Sequence, residues 1–225
     1  MQITTSVLDF LSELRDNNHR DWMQANKKRY QEGEKILKAF YGGIEIGLNE
    51  VDQIDKVKVF RINRDIRFSK DKTPYNIHRS VSFSRAGEHR RGGYYLRIEP
   101  GGSLMAGGFF NPEPHDLRRI RKEFEMDGSE IREILSQDDF KKAFDGFNQD
   151  YAVKTAPKGF KKDDPNIDLI RLKSFFVTHA FSDQEVTHPE FADKLLYHFE
   201  LLRPYFDYMS EVLTTDLNGV SLLDQ

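Results

Sequence analysis

The chain has 225 residues, a formal net charge of −3, 38% hydrophobic and 32% charged residues, and no cysteine. That length fits one large domain or two small ones and is enough to bury a core. The missing cysteines exclude disulfides, thiolate metal sites and a Cys nucleophile, and suit a reducing cytoplasm. The N-terminal MQITTSVLDF lacks the basic and apolar regions of a signal peptide, and no apolar run approaches membrane-spanning length. The expectation is a cytoplasmic protein with no membrane partner.

Val7, Leu8, Leu11 and Leu14 share a face of a helix predicted over residues 5–16, with Thr4, Thr5 or Ser6 to cap it. Asn18 followed by Asp21 resembles a capping box that opens a second helix through Trp22 and Tyr30. Leu37, Phe40, Ile44 and Leu48 carry the helical period to about Val51, and Gly33, Gly42, Gly43 and Gly47 suggest a kink or break.

From Lys58 the period becomes two. Phe60, Ile62, Ile66 and Phe68 would face one way, and Arg61, Asn63, Asp65 and Arg67 the other, until Thr73-Pro74 ends the strand. Arg64 interrupts the apolar side, where it needs a carboxylate partner. Val81 and Phe83 mark a second strand, and Tyr94, Leu96 and Ile98 a third. Pro100-Gly101-Gly102-Ser103 turns the chain into a fourth, from Leu104 to Phe110.

Helical spacing then resumes at Leu117, Ile120 and Phe124 and in shorter segments to Phe144. After a loop over residues 145–164, Asp164-Pro165 reads as a helix start. A last long helix is predicted from about Pro189 to Leu213. With no repeat or composition break, the reading is a single α+β domain over residues 1–225. Its architecture is an antiparallel β-meander packed on one face by helices from both ends of the chain.

The run Arg61-Ile62-Asn63-Arg64-Asp65-Ile66-Arg67-Phe68-Ser69-Lys70-Asp71-Lys72-Thr73-Pro74-Tyr75 resembles the hallmark of an uncharacterised family of bacterial and fungal domains of unknown function. Asn17-Asn18 with Trp22, Gly93-Tyr94-Tyr95-Leu96 through Pro100-Gly101, Ala156-Pro157-Lys158-Gly159 and Lys173-Ser174-Phe175 extend the resemblance along the chain. Met23 stands where that family more often has phenylalanine. The resemblance implies one whole-length domain and brings no activity, substrate or cofactor.

From Arg61 to Arg97 there are ten Lys/Arg against three acids, a local excess of +7 in an acidic molecule. Clustered cations call for an anion, an internal carboxylate or water. The predicted polar sheet face collects Arg61, Asn63, Asp65 and Arg67 with Tyr95 and Arg97, and Lys72 sits on the loop that follows. Arginine forks there would take a small phosphate- or carboxylate-bearing ligand. A solvated face whose arginines pair with Asp65, Asp71, Glu99 and acids of neighbouring helices is the structural alternative.

Besides a protein-interaction module whose polar face accepts an acidic partner, two functional alternatives remain. One is nucleic-acid binding with Tyr95 or Phe68 stacking on bases, disfavoured by the acidic whole. The other is an enzyme acting on a phosphorylated or acidic metabolite. No catalytic residue can be named, because arginines beside Asp65 make it a poor base. The seven histidines show neither H-x-H nor H-E-x-x-H spacing, and no phosphate-loop or dinucleotide motif is present. No metal and no cofactor is therefore expected, and nothing in the residues sets an oligomeric state.

Overall fold

Helix α1 (Thr5–Asp16) buries Val7, Leu8, Phe10, Leu11 and Leu14, the stripe that the sequence spacing predicts. The computed structural model describes residues 2–223. A short helix, α2 (Arg20–Ala25), is capped by the His19 ring, which accepts from the Trp22 amide, and not by Asn18. The Asn18 side chain is used elsewhere, as described below. The break before α3 (Lys27–Val51) falls at Asn26, and α3 runs through its glycines. At Gly47 a Cβ would collide with the Leu196 side chain, so close packing accounts for that glycine.

Strands β1 (Ile54–Val59), β2 (Arg79–Arg85), β3 (Gly93–Ile98), β4 (Ser103–Phe109) and β5 (Phe175–Phe181) form one antiparallel sheet in the order β1-β2-β3-β4-β5. Burial alternates strictly along β3 and β4, as expected of strands with one face inward. The predicted α+β meander is thus observed, with β5 as an added strand.

Between β4 and β5 lie α4 (Pro114–Met126), α5 (Ser129–Ser136), α6 (Asp138–Ala143) and a single turn, α7 (Ile167–Ile170). After β5 come α8 (Asp183–Val186), α9 (Phe191–Glu200) and α10 (Arg203–Thr214). The long last helix of the sequence reading is therefore two. Pro204 stands in the first turn of α10, and its ring has no N–H to continue a helix from α9.

Contacts along the chain define two compact units whose boundaries run through strands β2 to β5. The first comprises Met1–Phe83, Tyr95–Met105 and Ala180–Tyr197. Its core stacks Phe40 on Phe191 at 5.6 Å, sets Phe181 edge-on to Phe191 at 5.1 Å, and packs Phe10 against Trp22. The second comprises Ser84–Tyr94, Ala106–His179 and His198–Gln225. There Tyr94 meets Phe199 and Phe206 at 4.9 and 5.0 Å, and the buried Tyr205 hydroxyl donates to the Phe175 carbonyl at 2.6 Å. Each such ring pair contributes about 0.5–1.5 kcal/mol beyond its area burial. Among the described residues, no helix is long and apolar enough to cross a membrane.

Candidate functional site

The arginine motif leaves the sheet. Strand β1 ends at Val59, and residues 60–78 form a loop that returns the chain to β2. The polar strand face predicted for Arg61, Asn63, Asp65 and Arg67 does not form, because the loop makes its hydrogen bonds with itself. Asn63 and Tyr75 form an isolated antiparallel bridge. The Arg64 amide donates to the Pro74 carbonyl (2.9 Å) and the Asn76 amide to that of Ile62 (2.7 Å). Ile62, next to the bridge in sequence, is buried, which favours this end of the loop staying against the protein.

Three side chains from outside the tip fix the loop. Asn18 donates Nδ2 to the Tyr75 carbonyl (2.9 Å) and accepts from the Tyr75 amide (3.1 Å), which mimics a strand pairing. Arg79, 5% exposed, forms a bidentate pair with Glu34 of α3 at 2.6 and 2.9 Å. Its Nη1 also donates to the Phe60 carbonyl at 2.7 Å, so one guanidinium ties both ends of the loop to a helix. The Asn76 side chain closes on the Arg61 carbonyl at 3.2 Å.

Beyond the bridge, the tip is stapled by its own charges. Arg64 donates to Asp71 (2.5 Å) and to the Thr73 hydroxyl and carbonyl, which supplies the carboxylate that its position required. Asp71 also accepts from the Thr73 amide and hydroxyl. Those backbone and side-chain donors hold its carboxyl down at about 2. Arg67 forks onto Asp65 at 2.6 Å with the guanidinium still 77% exposed. That pairing keeps the Asp65 carboxyl below the usual range, with a smaller push from the Arg61 charge. Asp65 is accordingly an orienting group and unsuited to take protons near neutrality. Lys72 donates one of its three protons to the Ile66 carbonyl at 2.9 Å.

Two cations of the tip are unanswered. Among the described residues, neither Arg61 nor Lys70 makes an ion pair or a side-chain hydrogen bond, and both are exposed. With Lys72 they leave a surplus of three positive charges once Arg64–Asp71 and Arg67–Asp65 have cancelled. Phe68 stands among them 95% exposed, with the Arg67 guanidinium 6.0 Å from its ring centroid.

Tyr95 and Arg97 are not part of this tip. Tyr95 lies on β3 with its ring edge-on to Phe60 at 6.1 Å, at the base of the loop. Arg97 is spent within the β3–β4 hairpin, donating to the Gly102 carbonyl at 3.2 Å with Nε 3.1 Å from Glu99. The structure therefore brings together Arg61, Asn63, Asp65, Arg67 and Lys72 on one loop, touches it with Tyr95, and keeps Arg97 apart.

Sequence reasoning missed Glu34, Arg79 and the clamp role of Asn18. Arg79 had a local signal. It shares the strand parity of Val81 and Phe83, both fully buried, so period two already placed its guanidinium inside and in need of a carboxylate. Asn18 and Glu34 carried none, being 57 and 45 residues from the groups they hold.

No group of three or more His, Asp or Glu among the described residues is placed to hold a metal ion. The chain belongs to the DUF2461 family of conserved hypothetical proteins, which it matches over residues 6–208. No curated protein sequence matches it.

Proposed function

We propose that the protein binds a phosphate-bearing anionic ligand through the loop tip, with Arg61, Lys70 and Lys72 as the contacting cations. The observation that carries this reading is the uncompensated +3 on a loop whose shape is already fixed by the Asn63–Tyr75 bridge, Asn18 and Arg79. Such a loop loses little conformational freedom when an anion arrives, so the charge attraction is not consumed in ordering the chain. Asp65, its carboxyl held down by the Arg67 hydrogen bonds, is unsuited as a general base near neutrality, which favours binding over turnover.

Isothermal titration with inorganic tripolyphosphate tests the reading. Wild-type protein should bind with an affinity that falls as salt rises, and the Arg61→Ala/Lys70→Ala double variant should lose most of that affinity while retaining its melting temperature. Equal binding by the two proteins, or none by either at low salt, overturns it.

A further inference from the structure

The proposed anion site leaves Phe68 unexplained. An aromatic ring 95% exposed gains nothing from folding, and here its neighbours along the loop include the bonded Arg64, Arg67 and Lys72 and the exposed Lys70. We infer that the loop is a single-stranded nucleic-acid binding element, in which a base stacks on the free face of Phe68 while Arg61, Lys70 and Lys72 contact the phosphates on either side. The inference rests on the anion-binding reading and names its ligand class.

Three features select this occupant. The Arg67 guanidinium lies near the ring and leans on Asp65, so the Phe68 side chain is braced toward a ligand by a cation that would itself reinforce stacking. The cations without a carboxylate partner bracket Phe68 in sequence, at 61 on one side and 70 and 72 on the other, as a backbone passing over the ring requires. The ring is also alone. Its immediate neighbours Arg67 and Ser69 are polar and Ile66 is half-buried, so the tip exposes one large apolar side chain, too little to sink into a lipid surface. An acidic protein segment would satisfy the cations and leave the ring idle. A duplex would hide the bases that the ring needs, which confines the ligand to unpaired nucleotides.

Fluorescence anisotropy of a 5′-labelled oligothymidylate, read at several salt concentrations, tests the inference, with tripolyphosphate titration run in parallel on the same proteins. The oligonucleotide should bind, and Phe68→Ala should weaken it by about tenfold without altering the affinity for tripolyphosphate. Phe68→Trp should restore oligonucleotide binding, with quenching of the new indole. The Arg61→Ala/Lys70→Ala variant should weaken both ligands and flatten the salt dependence of the oligonucleotide.

Oligonucleotide binding that is indifferent to Phe68→Ala, or matched by a duplex of equal charge, overturns the stacking inference and leaves the anion site standing. So does tripolyphosphate binding without oligonucleotide binding. Phe68-dependent binding to phosphatidylserine vesicles, or competition by polyglutamate equal to that of oligothymidylate, overturns it in favour of a lipid or an acidic protein. Loss of both phosphate ligands in the wild type brings down the anion site as well.

Discussion

Residues 61–72 and residues 85–91 are two arginine-rich stretches of the chain, and they use their charge in opposite ways. In the second, Arg85 is 1% exposed on the inward side of β2 and donates to Asp207 (3.0 Å), to the Ser210 hydroxyl (3.3 Å) and to the Arg91 carbonyl (3.1 Å). Its guanidinium also lies 5.2 Å from the Phe206 ring. Arg91 pairs with Asp116 at the start of α4, and its amide donates to Ser210. These carboxylates lie 122 and 25 residues from their partners, so the pairs form only when the fold does. In the first stretch, Arg67 and Arg64 find acids two and seven residues away. Local pairs shape a loop without joining it to the core. They leave Arg61 and Lys70 with no ion pair among the described residues.

The contrast predicts opposite responses to removing an acid. Asp207→Ala removes a carboxylate partner of the buried Arg85 and should lower the unfolding free energy by about 3 kcal/mol in urea denaturation. Asp65→Ala should leave the urea midpoint where it was, since its pair is exposed on both sides. It also frees Arg67, so tripolyphosphate affinity should rise several-fold. A destabilisation of similar size in both variants would erase the distinction between built-in and displayed arginines.

Next in size is Asn18→Ala, which removes two hydrogen bonds from the Tyr75 backbone and should cost about 1–2 kcal/mol. Hydrogen exchange should quicken at the Tyr75 and Arg64 amides while the 85–91 loop is unaffected. Ligand affinity should fall with the loss of loop order, although Asn18 touches no ligand. Unchanged exchange at Tyr75 would show that the bridge stands without its clamp, and that the loop owes its shape to Ile62 and Arg79 alone.

How far the sequence revealed this loop follows from the range of the forces involved. Helix α1 and strands β2 to β4 were legible because their burial repeats within a few residues: Val81 and Phe83, or Tyr94, Leu96 and Ile98, declare one face. Phe60 to Phe68 imitated that pattern over the wrong register. Ile62 is buried, but Phe68 is exposed, and the alternation is broken by Arg64 reaching Asp71 and Thr73. A local ion pair and a Pro74 carbonyl that accepts from Arg64 outcompeted the ladder, and no hydrophobic period records such a choice. The need for a carboxylate at Arg64 was readable from one residue; the clamp by Asn18, from so far along the chain, was not.

Acid should separate the two stretches more gently. Asp71 has its folded pKa depressed to about 2 from an ordinary 3.8, so the protonated form is disfavoured in the native loop. Its contribution is full above the ordinary value and is lost as pH falls from about 4 toward 2. The Thr73 amide resonance should therefore hold its position down to pH 4 and move only below it, together with the Arg64 side-chain signals. A Thr73 shift with a midpoint near 4 would mean that Asp71 is not engaged by the Thr73 amide and the Arg64 guanidinium in solution.

The smallest expected effect is the most pointed. Phe68→Ala should leave the melting temperature, the urea midpoint and the exchange rates of both arginine stretches unchanged, because a ring that is 95% exposed is not transferred out of water on folding. The nearby cation contributes little to stability either, since Arg67 is itself open to solvent and already held by Asp65. A measurable drop in the urea midpoint would show that the ring packs against the protein in solution, and a packed ring has no free face to offer a base. A null result in stability combined with a loss of oligonucleotide affinity isolates the ring as a contact that the fold holds out and does not use.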